Sequence, residues 1–203
     1  MLPWRPITPL TNVHQLIDSN ICSLCGACVV ACPLNVLRFD PKEPSRMTKG
    51  PDKCFECYLC LYVCPQANLW ARRDLYEQPV KPLKAYQAKS RSDEILSLAQ
   101  DGGITTLLSI FALKERLADV VILAGVGEDW TPKPIAARSV DEVLKSSKSK
   151  YFYIPSLVAL LEARDAERIM VVGLPCQLRA LEKLIRVNAE LSSTIVYYIG
   201  LFC

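Results

Sequence analysis

The sequence predicts two units in one chain: a small α+β lobe built around cysteines, followed by a layered α/β domain. Two observations predict this. Eight of the ten cysteines fall between Cys22 and Cys64, in two runs of identical spacing. From Ala85 onward, helical patterns alternate with short apolar runs, the mark of a sheet whose strands are mostly parallel.

The bulk properties narrow the field. Of 203 residues, 51% are apolar and 22% charged, which suits a globular chain and excludes a disordered one. No apolar run reaches the ~18 residues of a membrane span; Val120–Val126 and Ile195–Cys203 are strand-sized. Pro3, Pro6 and Pro9 stand where a signal peptide needs an apolar stretch. The expectation is a cytoplasmic chain, peripheral at most to a membrane complex. A net charge of +3 is too balanced for a nucleic-acid partner.

The cysteine lobe comes first. Cys22, Cys25, Cys28 and Cys32 are followed by Pro33; Cys54, Cys57, Cys60 and Cys64 are followed by Pro65. Both runs read C-x2-C-x2-C-x3-C-P, and every ligand recurs at an offset of 32. Three thiolates two residues apart wrap one iron–sulfur cube, and the fourth serves the other cube. Cluster one therefore takes Cys22, Cys25, Cys28 and Cys64; cluster two takes Cys54, Cys57, Cys60 and Cys32. A zinc site has no use for the third cysteine or the proline. Gly26 is expected to let the backbone approach the first cluster; Tyr58 stands at the matching place, so the second loop is expected to differ. Each oxidised cube carries about −2, which takes the loaded chain from +3 to about −1. Lys49, Lys53, Arg72 and Arg73 flank the runs and either offset that charge or are ordinary surface. The two runs resemble a bacterial-type ferredoxin with two 4Fe-4S clusters over residues 21 to about 70, within a first domain expected to span residues 1–70.

Residues 71–84 carry charges and two prolines without apolar periodicity, which predicts a semi-rigid linker. Ser92-Asp93-Glu94 opens a helix. Gly102-Gly103 interrupts, and Thr105–Arg116 is helical. Asp119–Ala124 is a strand. Trp130, Pro132 and Pro134 read as a loop. Ser139 to Glu142 is a capping box. Pro155–Ser156 opens a helix to about Asp165, Arg168–Gly173 is a buried strand, Gln177–Val187 a helix and Thr194–Phe202 a third strand.

Four places in this domain suit chemistry. Gln100 to Thr106 puts a glycine pair at a helix N-terminus, which favours phosphate, though a plain turn reads the same. Lys145 to Tyr151 mixes lysines and hydroxyls, as a phosphorylated ligand or a solvated loop requires. Gly173-Leu-Pro-Cys-Gln177 ends a strand, where open α/β sheets collect ligands; a helix start there is expected to lower the pKa of Cys176. Cys203 follows the last strand.

Taken in order, Ala99-Gln-Asp-Gly-Gly-Ile-Thr-Thr, Val121-Ile-Leu-Ala-Gly, Trp130-Thr-Pro-Lys-Pro, Lys148-Ser-Lys-Tyr151, Gly173-Leu-Pro-Cys-Gln and Ile199-Gly-Leu-Phe-Cys203 resemble the coenzyme F420 hydrogenase/dehydrogenase beta-subunit family, over residues 85–203. With its ferredoxin unit the chain is similar to the input subunit of F420H2 dehydrogenase and the first half of F420-dependent sulfite reductase. The resemblance implies a ferredoxin-like α+β lobe followed by an α/β flavin-binding domain, C-terminally incomplete. It implies FAD held by Gln100, Gly102, Gly103, Thr105 and Thr106, and bordered by Ser147, Lys150, Tyr151, Pro175 and Gln177. It implies coenzyme F420 as substrate, partner subunits that take or give electrons, and no residue acting as acid or base. Many relatives have glycine where Lys148 stands, so a different backbone approach is expected there. Cys176 and Cys203 map to ligands of a further 4Fe-4S cluster, whose other ligands lie in a later C-x2-C; the expectation is a third cluster completed elsewhere. The alternatives are a reductase of the same fold that does not use F420, and an electron-transfer module without flavin.

Overall fold

The computed structural model describes residues 13–40, 47–49, 54–67, 84–127 and 129–203. The expected linker, save Lys84, and the flanking Lys49 side chain, Lys53, Arg72 and Arg73 lie outside the described residues.

The first lobe is short segments: α1 (His14–Asp18), α2 (Ala27–Ala31), an antiparallel pair β1 (Leu37–Phe39) and β2 (Met47–Lys49), and α3 (Leu59–Tyr62). The 32-residue repeat is present in the backbone. Leu24 and Glu56 both have positive φ (50° and 58°). Gly26 and Tyr58 then cap α2 and α3 in the left-handed region, at φ 86° and 58°. The expectation that the Tyr58 loop would differ is corrected: the tyrosine adopts the glycine conformation, a strain of about 1–2 kcal/mol for a side-chain-bearing residue.

The second unit contains α4 (Asp93–Leu98), α5 (Ile104–Lys114), β3 (Val120–Val126), β4 (Pro132–Ala137), α6 (Val140–Lys145), a 3-10 helix (Ser156–Leu161), β5 (Ile169–Gly173), α7 (Pro175–Val187), α8 (Ala189–Thr194) and β6 (Ile195–Gly200). The sheet order is β4-β3-β5-β6. β3, β5 and β6 run parallel and β4 is antiparallel. Ser92 caps α4 by accepting the Ile95 N–H, and Ser139 and Glu142 form the expected capping box.

Two expectations are corrected and one element is new. Pro132 and Pro134 lie in a strand, not a loop; β4 is a sheet edge, where alternate N–H groups face away from the partner and proline is tolerated. The segment after Pro155 is a six-residue 3-10 helix, shorter than expected. α8 was hidden in a polar stretch and is capped by Asn188, which accepts the Leu191 N–H.

The sheet buries both faces, as parallel strands do. Val120, Ile122, Ile169 and Val171 face one core; Val121, Leu123, Met170 and Val172 face the other. The second core is closed by α4, α5 and α6 through Ile95, Ile110 and Val143. The first is closed by the 3-10 helix, α7 and the cysteine lobe: Cys25, Ala27 and Val63 pack with Leu157, Leu160 and Leu181. The two units thus share one apolar core.

Candidate functional site

Four thiols of the first lobe, the set expected to hold one cluster, act electrostatically on one another. Cys25, Cys28 and Cys64 are buried and Cys22 half-buried, and the charges of Cys22, Cys25 and Cys64 act on Cys28. Burial raises all four thiols above their ordinary pKa, Cys25 to about 12. Binding iron as thiolates must therefore release protons. The Leu24 N–H donates to Cys22 Sγ at 3.4 Å, a contact that tunes such a cluster.

The second set is more open. Cys54 and Cys57 are exposed and Cys60 half-buried, and Cys57 and Cys54 act on Cys60. Cys32, the expected fourth member, packs in the same apolar cluster as Cys60, and its Sγ accepts the Val36 N–H at 3.2 Å. Cys28 also feels Cys60, so the two sets adjoin. Among the described residues no three Cys, His, Asp or Glu side chains converge on a single-ion site; a cube of four irons spaces its thiols more widely.

A large open cavity of about 680 Å³ lies at the carboxyl ends of β3 and β5, within the usual range for a ligand site. Gln100, Gly102, Gly103, Thr105, Thr106, Ser147, Lys150, Tyr151 and Gln177 all line it; Pro175 does not. Two glycines shape its floor. A Cβ on Gly102 would stand 2.8 Å from the Ala88 carbonyl oxygen. Gly103 has φ 69°, and its Cβ would lie 2.7 Å from Ile95 Cγ2. Gly103 caps α5 without a side-chain acceptor, so the first amides of an eleven-residue helix are left for a ligand.

The opposite wall is the loop after α6. Gln100 holds it: its Nε2 donates to Tyr151 Oη at 2.7 Å, and its Oε1 accepts the Ser149 N–H at 3.3 Å. Thr106 and Ser147 hydroxyls pair at 3.3 Å. Lys150 Nζ donates to three main-chain carbonyls, those of Ser146, Ser147 (2.6 Å) and Lys148 (2.8 Å). Burial pulls its pKa down to about 8. Lys148 has φ 71°, so the loop keeps a conformation natural to glycine although a lysine stands there, and the expected change of backbone approach is corrected. Gln177 is buried, its amide spent on the Ile154 carbonyl and the Leu174 N–H; its task is to hold the wall.

Cys203 lines the cavity and acts on Cys176, whose thiolate the nearby Ser23 hydroxyl favours. Cys176 in turn acts on Cys22 and Cys25. The expected lowering of its pKa is reversed: burial dominates and raises it, outweighing the helix start. Ser23, Leu201 and Phe202 were missed as site residues. Ser23 sits between Cys22 and Cys25 in sequence, and only the fold brings it near Cys176 at the start of α7.

The donor sets fit iron–sulfur clusters, and the glycine cradle with its free amides fits a dinucleotide. Comparison with known proteins agrees with the first. Residues 21–68 match a 4Fe-4S dicluster domain. Residues 85–161 match the N-terminal model of the coenzyme F420 hydrogenase/dehydrogenase beta subunit, and residues 166–203 match the C-terminal model of the same protein. The chain is 33% identical to the coenzyme F420-dependent sulfite reductase of Methanocaldococcus jannaschii, over 95% of this chain and 32% of that protein. It is 30% identical to one of the subunits of the F(420)H(2) dehydrogenase of Methanosarcina mazei, over 95% of this chain and 56% of that protein. The chain thus spans from about a third to just over half of the length of these relatives. A chain of the F420-reducing NiFe hydrogenase complex from Methanosarcina barkeri superposes with a TM-score of 0.55 at 33% identity, over 62% of this chain and 47% of that one. The chain belongs to the coenzyme F420 hydrogenase/dehydrogenase beta-subunit family, with a 4Fe-4S dicluster domain ahead of the family's own two segments.

Proposed function

We propose that this chain exchanges electrons between reduced coenzyme F420 and its iron–sulfur clusters by way of FAD bound in the cavity, for delivery to a partner protein within a cytoplasmic complex. The observation that supports this reading is the succession of thiols from the cavity, where Cys203 lies, to Cys176 and on to Cys22 and Cys25, each close enough to act electrostatically on the next. A flavin supplies the conversion between hydride and single-electron chemistry.

The chain's own residues have defined tasks in this reading. Gly102 and Gly103 let a phosphate reach the α5 amides. Gln100 and Lys150 hold the loop that borders the ring. Cys22, Cys25, Cys28 and Cys64 hold the inner cluster, and Cys54, Cys57, Cys60 and Cys32 the outer one. The exposure of Cys54 and Cys57 makes the outer cluster the exit towards a partner. Cys176 and Cys203 offer two ligands to a third cluster between cavity and inner cluster. No side chain needs to act as acid or base.

The test is anaerobic. Chain reconstituted with iron, sulfide and FAD is mixed with F420H2. The reading expects loss of the F420H2 absorbance together with reduced-cluster EPR signals. F420H2 that persists beside fully loaded flavin and iron contradicts it and leaves a reductase of the same fold with another donor.

A further inference from the structure

α7 spans the molecule from the cavity side to the cysteine lobe. Cys176 and Gln177 stand in its first turn. Two turns later, Lys183 crosses to the other unit: its Nζ donates a hydrogen bond to the Cys64 main-chain carbonyl at 2.6 Å. The ammonium also acts electrostatically on Cys64 and is acted on by Cys25. Arg179 and Arg186, four residues before and three after, share its face and influence it. Of these three cations, Lys183 is the one that reaches the buried thiol set; Arg186 is paired with Glu182. Among the described residues, the shift of Cys60 in the other set comes from burial, main-chain hydrogen bonds and its neighbours Cys57 and Cys54.

We propose that Lys183 is a positioning residue that raises the reduction potential of the inner cluster relative to the outer one. The inference rests on the assignment of Cys22, Cys25, Cys28 and Cys64 to one cluster. Reduction adds one electron and no proton, taking such a cluster from about −2 to about −3. A half-buried cation beside it stabilises the more negative state, and salt screens it less than it would a surface charge. The hydrogen bond holds the main chain of Cys64, the one ligand of this set that comes from the second run. Two clusters built on one repeat thereby acquire different potentials from a residue 119 positions away from Cys64, in the other unit of the chain.

The test is an EPR-monitored redox titration of the reconstituted full chain, with the inner signal identified by its loss in Cys64→Ser. Lys183→Gln is expected to lower the reduced-to-oxidised ratio of the inner cluster about tenfold at a fixed potential, about 59 mV for one electron. The outer cluster should stay in place, and Lys183→Arg should keep the wild-type value. Lys183→Met retains the stem and removes the charge, and it should match Lys183→Gln. Unchanged inner potential with full iron, or an equal shift of both clusters, overturns the proposal. Iron loss in both neutral variants overturns it in favour of a purely structural latch. Failure of the wild-type chain to take up two clusters would refute the ligand assignment instead.

Discussion

Gly26 and Val158 lock the two units of this chain together. A Cβ added to Gly26 would stand 2.8 Å from Val158 Cγ2 and 3.0 Å from the Pro155 carbonyl oxygen. The residue also has φ 86°. What the glycine approaches on its outer side is the 3-10 helix of the other unit, a role beyond the expected approach to a cluster. Gly26→Ala combines left-handed strain of about 1–2 kcal/mol with a backbone clash. It should lower the melting temperature by several degrees and reduce the iron retained by the inner set. Tyr58→Gly, at the equivalent place in the repeat, should be neutral or slightly stabilising, because Tyr58 is exposed and only the strain is relieved. Thermal melts of the two variants check the contrast; equal losses would deny the packing difference.

The proposed ligand crossover makes its own prediction. Cys64 belongs to the second run but stands with Cys22, Cys25 and Cys28. Cys64→Ser should therefore damage the cluster of the first run while the exposed second set still loads. EPR of the variant separates the two outcomes: loss of the second-run signal would assign each run to its own cluster.

Lys150 predicts a pH dependence. Its ammonium is charged below about pH 8 and loses its charge above it. Its three donors go to the loop carbonyls, so losing the charge weakens the loop that borders the cavity, and FAD retention should fall as the pH rises through 8, roughly tenfold, on the scale of one charge-assisted hydrogen bond. Lys150→Arg should remove the inflection, and Lys150→Met should bind weakly at every pH. The sign for the flavin-free chain is opposite. A base whose folded pKa lies below its ordinary 10.5 makes the fold more stable as the pH rises from about 8 to 10.5. Equilibrium dialysis of FAD across this range is the check.

The α6 capping box is a stability device. Glu142 accepts the Arg138 N–H at 2.8 Å and the Ser139 N–H at 3.0 Å, and these hold its carboxyl below the ordinary 4.5. Its contribution is complete above pH 4.5 and is lost as the pH falls below that. Ser139→Ala should cost about 1 kcal/mol, measured by urea unfolding at pH 7. An unchanged midpoint would mean that α6 draws its order from the loop it leads into.

The parts legible in the sequence are those governed by local chemistry. The spacing of the eight cysteines reads directly as a 4Fe-4S dicluster domain. The glycine pair, the Ser139 cap and the two apolar strands flanking it read directly, because each follows from a few neighbouring residues. β4 did not, since its prolines look like loop residues until the sheet edge that tolerates them is known. The left-handed Tyr58 and Lys148 were also hidden, since only the repeat and the loop geometry impose that conformation on them. Ser23 and Lys183 were invisible for a further reason: each gains its role from a partner in the other unit. The reversed shift of Cys176 has the same origin, because burial against the cysteine lobe outweighs the local helix start.

The most direct measurement is a count of iron and acid-released flavin on anaerobically purified protein, followed by addition of F420H2. The account predicts about eight irons and one FAD per chain, with flavin bleaching on F420H2 addition; about twelve irons would add the third cluster at Cys176 and Cys203. Eight irons with no flavin, before or after incubation with FAD, would contradict the central claim and leave an electron-transfer module.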